Sequence, residues 1–292
     1  VFPESALRPG MRVIGEQAEK LVKECEKASE DPAAFAHKAR VRCKKIRAAL
    51  RLAAPLMGAK AYARENGWWR DAARELSGLR DASARIEALE ALRPFLTARI
   101  GSAMMRRLTE RFEKERRAMD AAPAVAAFCQ RFRKRGEGLA PHLRGGGREV
   151  MAEALGETYR EARNAMKAAL KKRDPLLLHE WRKQTKYHAL QTRLMRMAFP
   201  EMLQDRTGAA RELAELLGTA QDIEVVLEGA KGWEDAPEGF ADALEERRKA
   251  LIDDAEKAGK KLFSDKPKAW RAATLQGDAQ RALDREEAEA DL

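Results

Sequence analysis

Aromatic residues make up only 6% of the 292 residues. The chain lacks the basic stretches interleaved with aromatics that stack and pair with nucleobases. β-Branched residues are few too, while Ala, Leu, Glu, Lys and Arg abound. Straight-chain side chains lose little rotamer freedom in a helix, so this composition predicts an all-α protein without a sheet. The three cysteines, Cys25, Cys43 and Cys129, are odd in number and lack metal-ligand spacing. They read as ordinary thiols in a reducing compartment, with no disulfide framework. There is no stretch of about 18 apolar residues and no charged-then-apolar leader, which argues against a membrane span or an uncleaved secretory signal and points to the cytoplasm. A Gly-rich phosphate loop followed by Lys-Ser/Thr is also missing, since Gly145-Gly146-Gly147 has no such context. Acidic residues near the basic segments are chiefly Asp81, Asp222 and Glu180. Phosphoanhydride chemistry usually needs metal-binding carboxylates converging with cations, so neither a catalytic residue nor a metal or cofactor is expected.

What the chain does have is positive charge, arranged twice. His37, Arg40, Lys44, Arg47 and Arg51 recur, with one gap, as His179, Arg182, Lys186 and Arg193. On a helix, steps of three, seven, ten and fourteen fall within an arc of roughly 80°, so each set lines one face. The segment from His37 to Arg51 holds seven Lys/Arg and no acid, and that from His179 to Arg196 holds five against Glu180. Their net charges, +7 and +4, match the whole chain's +10 to within one unit. The rest is close to neutral, so the basic character is confined to two helix faces. Ordinary surface helices alternate acid with base. Uncompensated stripes therefore point to a polyanion. Arg42 and Lys45 project elsewhere on the first helix, and Lys183 lies one step off the second stripe.

A second marker follows each stripe: Leu76-Ser77-Gly78-Leu79-Arg80-Asp81, then Leu216-Leu217-Gly218-Thr219-Ala220-Gln221-Asp222. His37 precedes Asp81 by 44 positions and His179 precedes Asp222 by 43, so the halves read as copies of one unit. Asp31-Pro32 and Asp174-Pro175 each offer an N-cap carboxylate and a first-turn proline. The Gly/Pro-rich segment 135–148, which contains His142, separates the copies at 140/141. Helices are expected over about 10–29, 32–54, 59–92 and 95–135, with interruptions near Gly67, Pro94 and Pro123. The second half should repeat them over about 148–172, 175–197, 201–231 and 237–264, followed by a charged, Ala-rich tail beyond Pro267. Four antiparallel helices per half suggest two pseudo-twofold-related four-helix bundles, 1–140 and 141–292, with the cationic helices facing each other across the junction.

These residues resemble the CHAD family, the conserved histidine α-helical domain. The resemblance rests on His37-x-x-Arg40-Val41-x-x-Lys44-Lys45-x-Arg47, on His179-x-x-Arg182-Lys183-x-x-Lys186-Tyr187, and on Arg80-Asp81 and Gly218…Asp222. It implies two four-helix bundles around a basic groove or pore that binds inorganic polyphosphate. Relatives often carry a triphosphate tunnel metalloenzyme domain, but this sequence has no Glu-x-Glu-x-Lys start or run of strands and resembles a stand-alone binding module. Ala189 stands where the family usually has a basic residue, matching Arg47 of the first half, which weakens the second stripe.

The expected ligand contacts are His37, Arg40, Arg42, Lys44, Lys45, Arg47, Arg51, His179, Arg182, Lys183, Lys186 and Arg193. Arg offers a planar fork to phosphate oxygens and Lys a mobile point charge. Arg80, Asp81, Tyr187 and Asp222 are expected in support, the acids orienting the bases. Tyr159, Arg163 and Lys167 form another line that would widen the groove, while Trp68, Trp69 and Trp181 read as packing. The resulting expectation is a non-catalytic polyphosphate-binding protein, which would target polyphosphate granules and their proteins. The alternative is non-specific nucleic-acid binding through the same phosphate electrostatics.

Overall fold

Both cationic segments start their helices with the same device. The Asp31 carboxylate accepts from Ala34 N at 3.0 Å and Asp174 from Leu177 N at 3.1 Å, each just ahead of a first-turn proline. Such a carboxylate satisfies one of the amides that a helix start leaves unpaired. The computed structural model describes residues 8–135, 148–196, 199–234, 236 and 238–274, and for 8–12, 78–82, 148 and 201 the backbone alone. The helices are α1 (Arg8–Glu26), α2 (Pro32–Met57), α3 (Ala59–Glu75), α4 (Ser77–Arg117), α5 (Ala122–Arg135), α6 (Arg148–Lys172), α7 (Pro175–Met195), α8 (Pro200–Gly229) and α9 (Phe240–Leu262), with α10 over 267–274. Among the described residues there is no strand.

Boundaries of the stripe-bearing helices and of α6, α8 and α9 fall within a few residues of expectation, but the first half divides differently. The helix expected over 59–92 stops at Glu75: Leu76 is fully buried at the joint, and α4 starts at Ser77, whose hydroxyl donates to Arg74 O at 2.7 Å. Gly67 and Pro94 do not interrupt their helices, and α4 bends instead at Gly101 (φ 76°, ψ 161°). A proline inside a helix forfeits one amide donor, whereas glycine readily takes a positive φ that ends the helical path. The expected 95–135 helix is also broken between Arg117 and Ala122, leaving Pro123 in the first turn of α5. Beyond Pro267, α10 carries Trp270 to full burial. The 140/141 boundary and residues 275–292 lie outside the described residues.

The core gathers into three clusters. One joins α1, α2, α3 and α5 around Leu21, Phe35, Ile46, Trp69 and Phe128. Another joins α6 to α10 around Tyr159, Trp181, Leu213 and Trp270, and takes Leu52 and Leu56 from α2. The third packs Leu89, Leu108 and Phe112 of α4 on Ile223 and Val226 of α8 and Leu244 of α9. Thus α4, which belongs to the first half by sequence, buries its apolar face on the second. Trp69 and Trp181 are core residues, as expected, while Trp68 is half-buried under the guanidinium of Arg135. Tyr159 and Arg163 do not widen a groove. Tyr159 is buried and donates to Asp265 O at 3.0 Å, and Arg163 Nε donates to Phe263 O at 3.0 Å, so both brace the turn after α9.

Candidate functional site

α2 and α7 pack side by side. The Gln191 amide of α7 donates to Ala48 O of α2 at 3.1 Å, and Arg51 of α2 reaches back to Gln184 Oε1 at 3.1 Å. Most guanidiniums of the α2 stripe bind neighbouring helices. Arg40 donates to Ala73 O near the end of α3. Arg47 Nε donates to Asn66 Oδ1 at 2.9 Å. Arg51 also pairs with Glu161 of α6 at 2.8 Å, and its guanidinium lies 4.7 Å from the ring centre of buried Tyr187, with Arg47 at 5.9 Å on the same ring. Tyr187 is therefore a platform on which the first stripe rests. Arg42 turns towards α1, where it pairs with both oxygens of Glu24 and donates to Gln17 Oε1 at 3.0 Å.

Lys45 sits at the α2–α7 seam. Partial burial and the charges of Arg42, Arg193 and Lys20 lower its pKa. All three charges are positive, though that of Arg42 is shared with Glu24. Lys44 is exposed on the same helix. Beneath the stripe, burial pushes the Cys43 thiol up to about 12 against the opposing pull of Arg40 and Arg47. All three cysteines are buried.

The α7 stripe has a different setting. Arg182, Lys186 and Arg193 line a cleft of about 620 Å³ whose other walls are α8 and the start of α4. None of its described lining residues comes from α2. Asp222, Glu215 and Glu87 also line it, so the walls carry carboxylates as well as cations. Lys183 lies outside this set and pairs with Glu180. Although partial burial alone would raise the Glu180 pKa, hydrogen bonds from Lys183 and Gln184 and the nearby Arg51 charge hold it below the usual range.

The two stripe-leading histidines are held by different partners. His37 Nδ1 lies 3.3 Å from Glu87 Oε1 on the α4 wall of the cleft, a contact that is an ion pair when the imidazole carries a second proton. His179 Nδ1 is 3.1 Å from Gln221 Oε1, while the Gln221 amide donates to Glu224 at 2.8 Å and Glu224 accepts from Arg248 at 3.0 Å. Because the amide nitrogen of Gln221 is engaged, its oxygen is left to accept, so His179 carries its proton on Nδ1. Arg80 and Asp81 fall in the first turns of α4, and their side chains lie outside the described residues. Among the described residues no group of three or more His, Cys, Asp and Glu converges as a metal site would, and no helix is long and apolar enough to cross a membrane.

Sequence reasoning missed Arg211, Glu87 and Gln221. Arg211 was within reach: stepping back from Asp222 and Gly218 by helical turns gives Glu215 and Arg211 on one face of α8. Glu87 and Gln221 needed the tertiary fold, because they meet their histidines across 50 and 42 residues of chain.

No curated protein matches the chain. The family whose model matches is the CHAD domain, over residues 12–231, a span from α1 to just past α8 that takes in both stripes and the whole cleft. With well over half its length inside that match, the chain belongs to the CHAD family.

Proposed function

We propose that this protein binds inorganic polyphosphate in a basic groove where its duplicated halves meet, without chemistry of its own. The observation that carries this reading is the row of α7 cations Arg182, Lys186 and Arg193 along the cleft beside the α2–α7 packing, with Lys45 of α2 close enough to Arg193 to feel its charge. A phosphate chain offers a charge on every unit and no bases, so its affinity comes from ion pairing with release of counterions. Arg182, Lys186 and Arg193 line the open cleft beside the seam, and Lys44 is exposed on α2. Membership of the family supports the same ligand. Binding of this kind would recruit the protein to polyphosphate granules.

The test is binding of long-chain polyphosphate at near-physiological salt, with DNA and RNA as competitors at matched phosphate concentration. A Lys186→Glu/Arg193→Glu variant serves as control. The expected result is tight binding that survives nucleic-acid competition and disappears in the control. Displacement by nucleic acid on equal terms would instead make the protein a general phosphate-backbone binder. Phosphate release from polyphosphate with Mg²⁺ or Mn²⁺, abolished by His37→Ala, would overturn the non-catalytic reading.

A further inference from the structure

We propose that Arg211 of α8 is a ligand-binding residue of this site and that the phosphate chain lies lengthwise in the α4–α7–α8 cleft, along the row of α7 cations. The inference rests on the polyphosphate reading and adds a location and a residue to it. Arg211 stands on the α8 wall of the cleft, while Arg182, Lys186 and Arg193 stand on its α7 wall. Cations on both walls can engage successive phosphates of one chain from two sides.

Accessibility separates Arg211 from the first stripe. Arg211 pairs with Glu215, one turn along the same helix, at 2.7 Å, and the two side chains are 78% and 64% exposed. An ion pair this exposed is screened by water and weakly held, so Arg211 can exchange the carboxylate for a phosphate oxygen at small cost. Arg42 and Arg51 are only 18% and 20% exposed in their pairs. Each is also bonded to a second partner on another helix. Pulling either towards a ligand would leave partly buried polar groups without their bonds, which is costlier than releasing an exposed pair.

Shape agrees with charge. At about 620 Å³ the cleft is within the size range of ligand sites. Gly218 lies on its α8 wall, and a Cβ there would meet no atom within 4 Å, so the missing side chain leaves room for ligand. Eleven residues separate Arg182 from Arg193, which at the helical rise is about 16 Å of α7. A chain lying along that row engages cations throughout, whereas tripolyphosphate engages only part of it.

Arg160→Gln is the matched control for Arg211→Gln, because Arg160 is also an exposed arginine paired within its own helix, to Glu157 on α6. Arg211→Gln should weaken long-chain polyphosphate binding about three- to tenfold and flatten the salt dependence by about one phosphate contact. Arg160→Gln should stay within about twofold of wild type. Glu215→Gln releases Arg211 and should tighten binding about two- to fivefold, an effect opposite in sign to any loss of helix stability. If wild type binds and Arg211→Gln behaves like Arg160→Gln, this inference fails while the polyphosphate reading stands. If wild type does not bind, both fail. Equal affinity per molecule for tripolyphosphate and the long chain would overturn the lengthwise path.

Discussion

His188 lies wholly inside the second half, its ring 5.7 Å from Tyr159, 5.8 Å from Phe263 and 6.0 Å from Trp270. Neither ring nitrogen has a hydrogen-bond partner. Burial, with a smaller push from the Arg206 charge, lowers its pKa to about 3 from an ordinary 6.5. Between those values the unfolded chain takes up a proton that the native state refuses, so stability falls as the pH drops. This contribution is complete above about 6.5 and is lost progressively towards 3, at about 1.4 kcal/mol per pH unit. Urea unfolding at neutral pH and at about pH 5 should show wild type losing about 2 kcal/mol more than His188→Leu. Equal losses would mean the imidazole gains a partner on protonation. Nine positions along a helix put His188 on the opposite face from His179, but nothing in the sequence points to the aromatic cage, whose rings come from α6, the residue after α9, and α10. Likewise, the stripes were legible as charge. The partners of Arg42, Arg47 and Arg51 were not, because a guanidinium's choice among carboxylate and amide oxygens is decided by tertiary approach.

Helix starts were the best-read feature at the scale of elements, since capping depends on a few adjacent residues. Asp31→Ala and Asp174→Ala should each cost about 1 kcal/mol, measured by thermal or urea unfolding. The bend in α4 was misread for the complementary reason: Pro94 and Gly101 both break helices in isolation, and the chain leaves the helical path at the glycine, which alone takes a positive φ readily. Two other glycines should respond in opposite directions to alanine. At Gly218 the added methyl meets open space, so the better helix former should stabilise by about 0.5–1 kcal/mol. At Gly259 it would sit 2.8 Å from Met166 Sδ and 2.9 Å from Trp181 Cζ2, where α9 closes on α6 and α7. Overpacking there should destabilise by about 1–3 kcal/mol. Comparing the two melting temperatures tests both; a shift of the same sign in each would refute the distinction.

The family match ends at 231, but the folded core continues. Phe240, Leu244, Leu251 and Leu262 of α9 and Trp270 of α10 are buried against earlier helices. Removing everything after 231 exposes those surfaces together, so the shortened chain should lose its cooperative melting transition. For the intact protein, long-chain polyphosphate should raise the melting temperature by mass action, and added salt should erode the gain. α4 carries a further consequence for the two halves. A methyl on Gly229 of α8 would come 2.9 Å from the Phe112 ring of α4. Any side chain at Gly229 must displace Phe112 or Arg85 of α4, so this one contact makes a change in the second half of the sequence felt at once in the first.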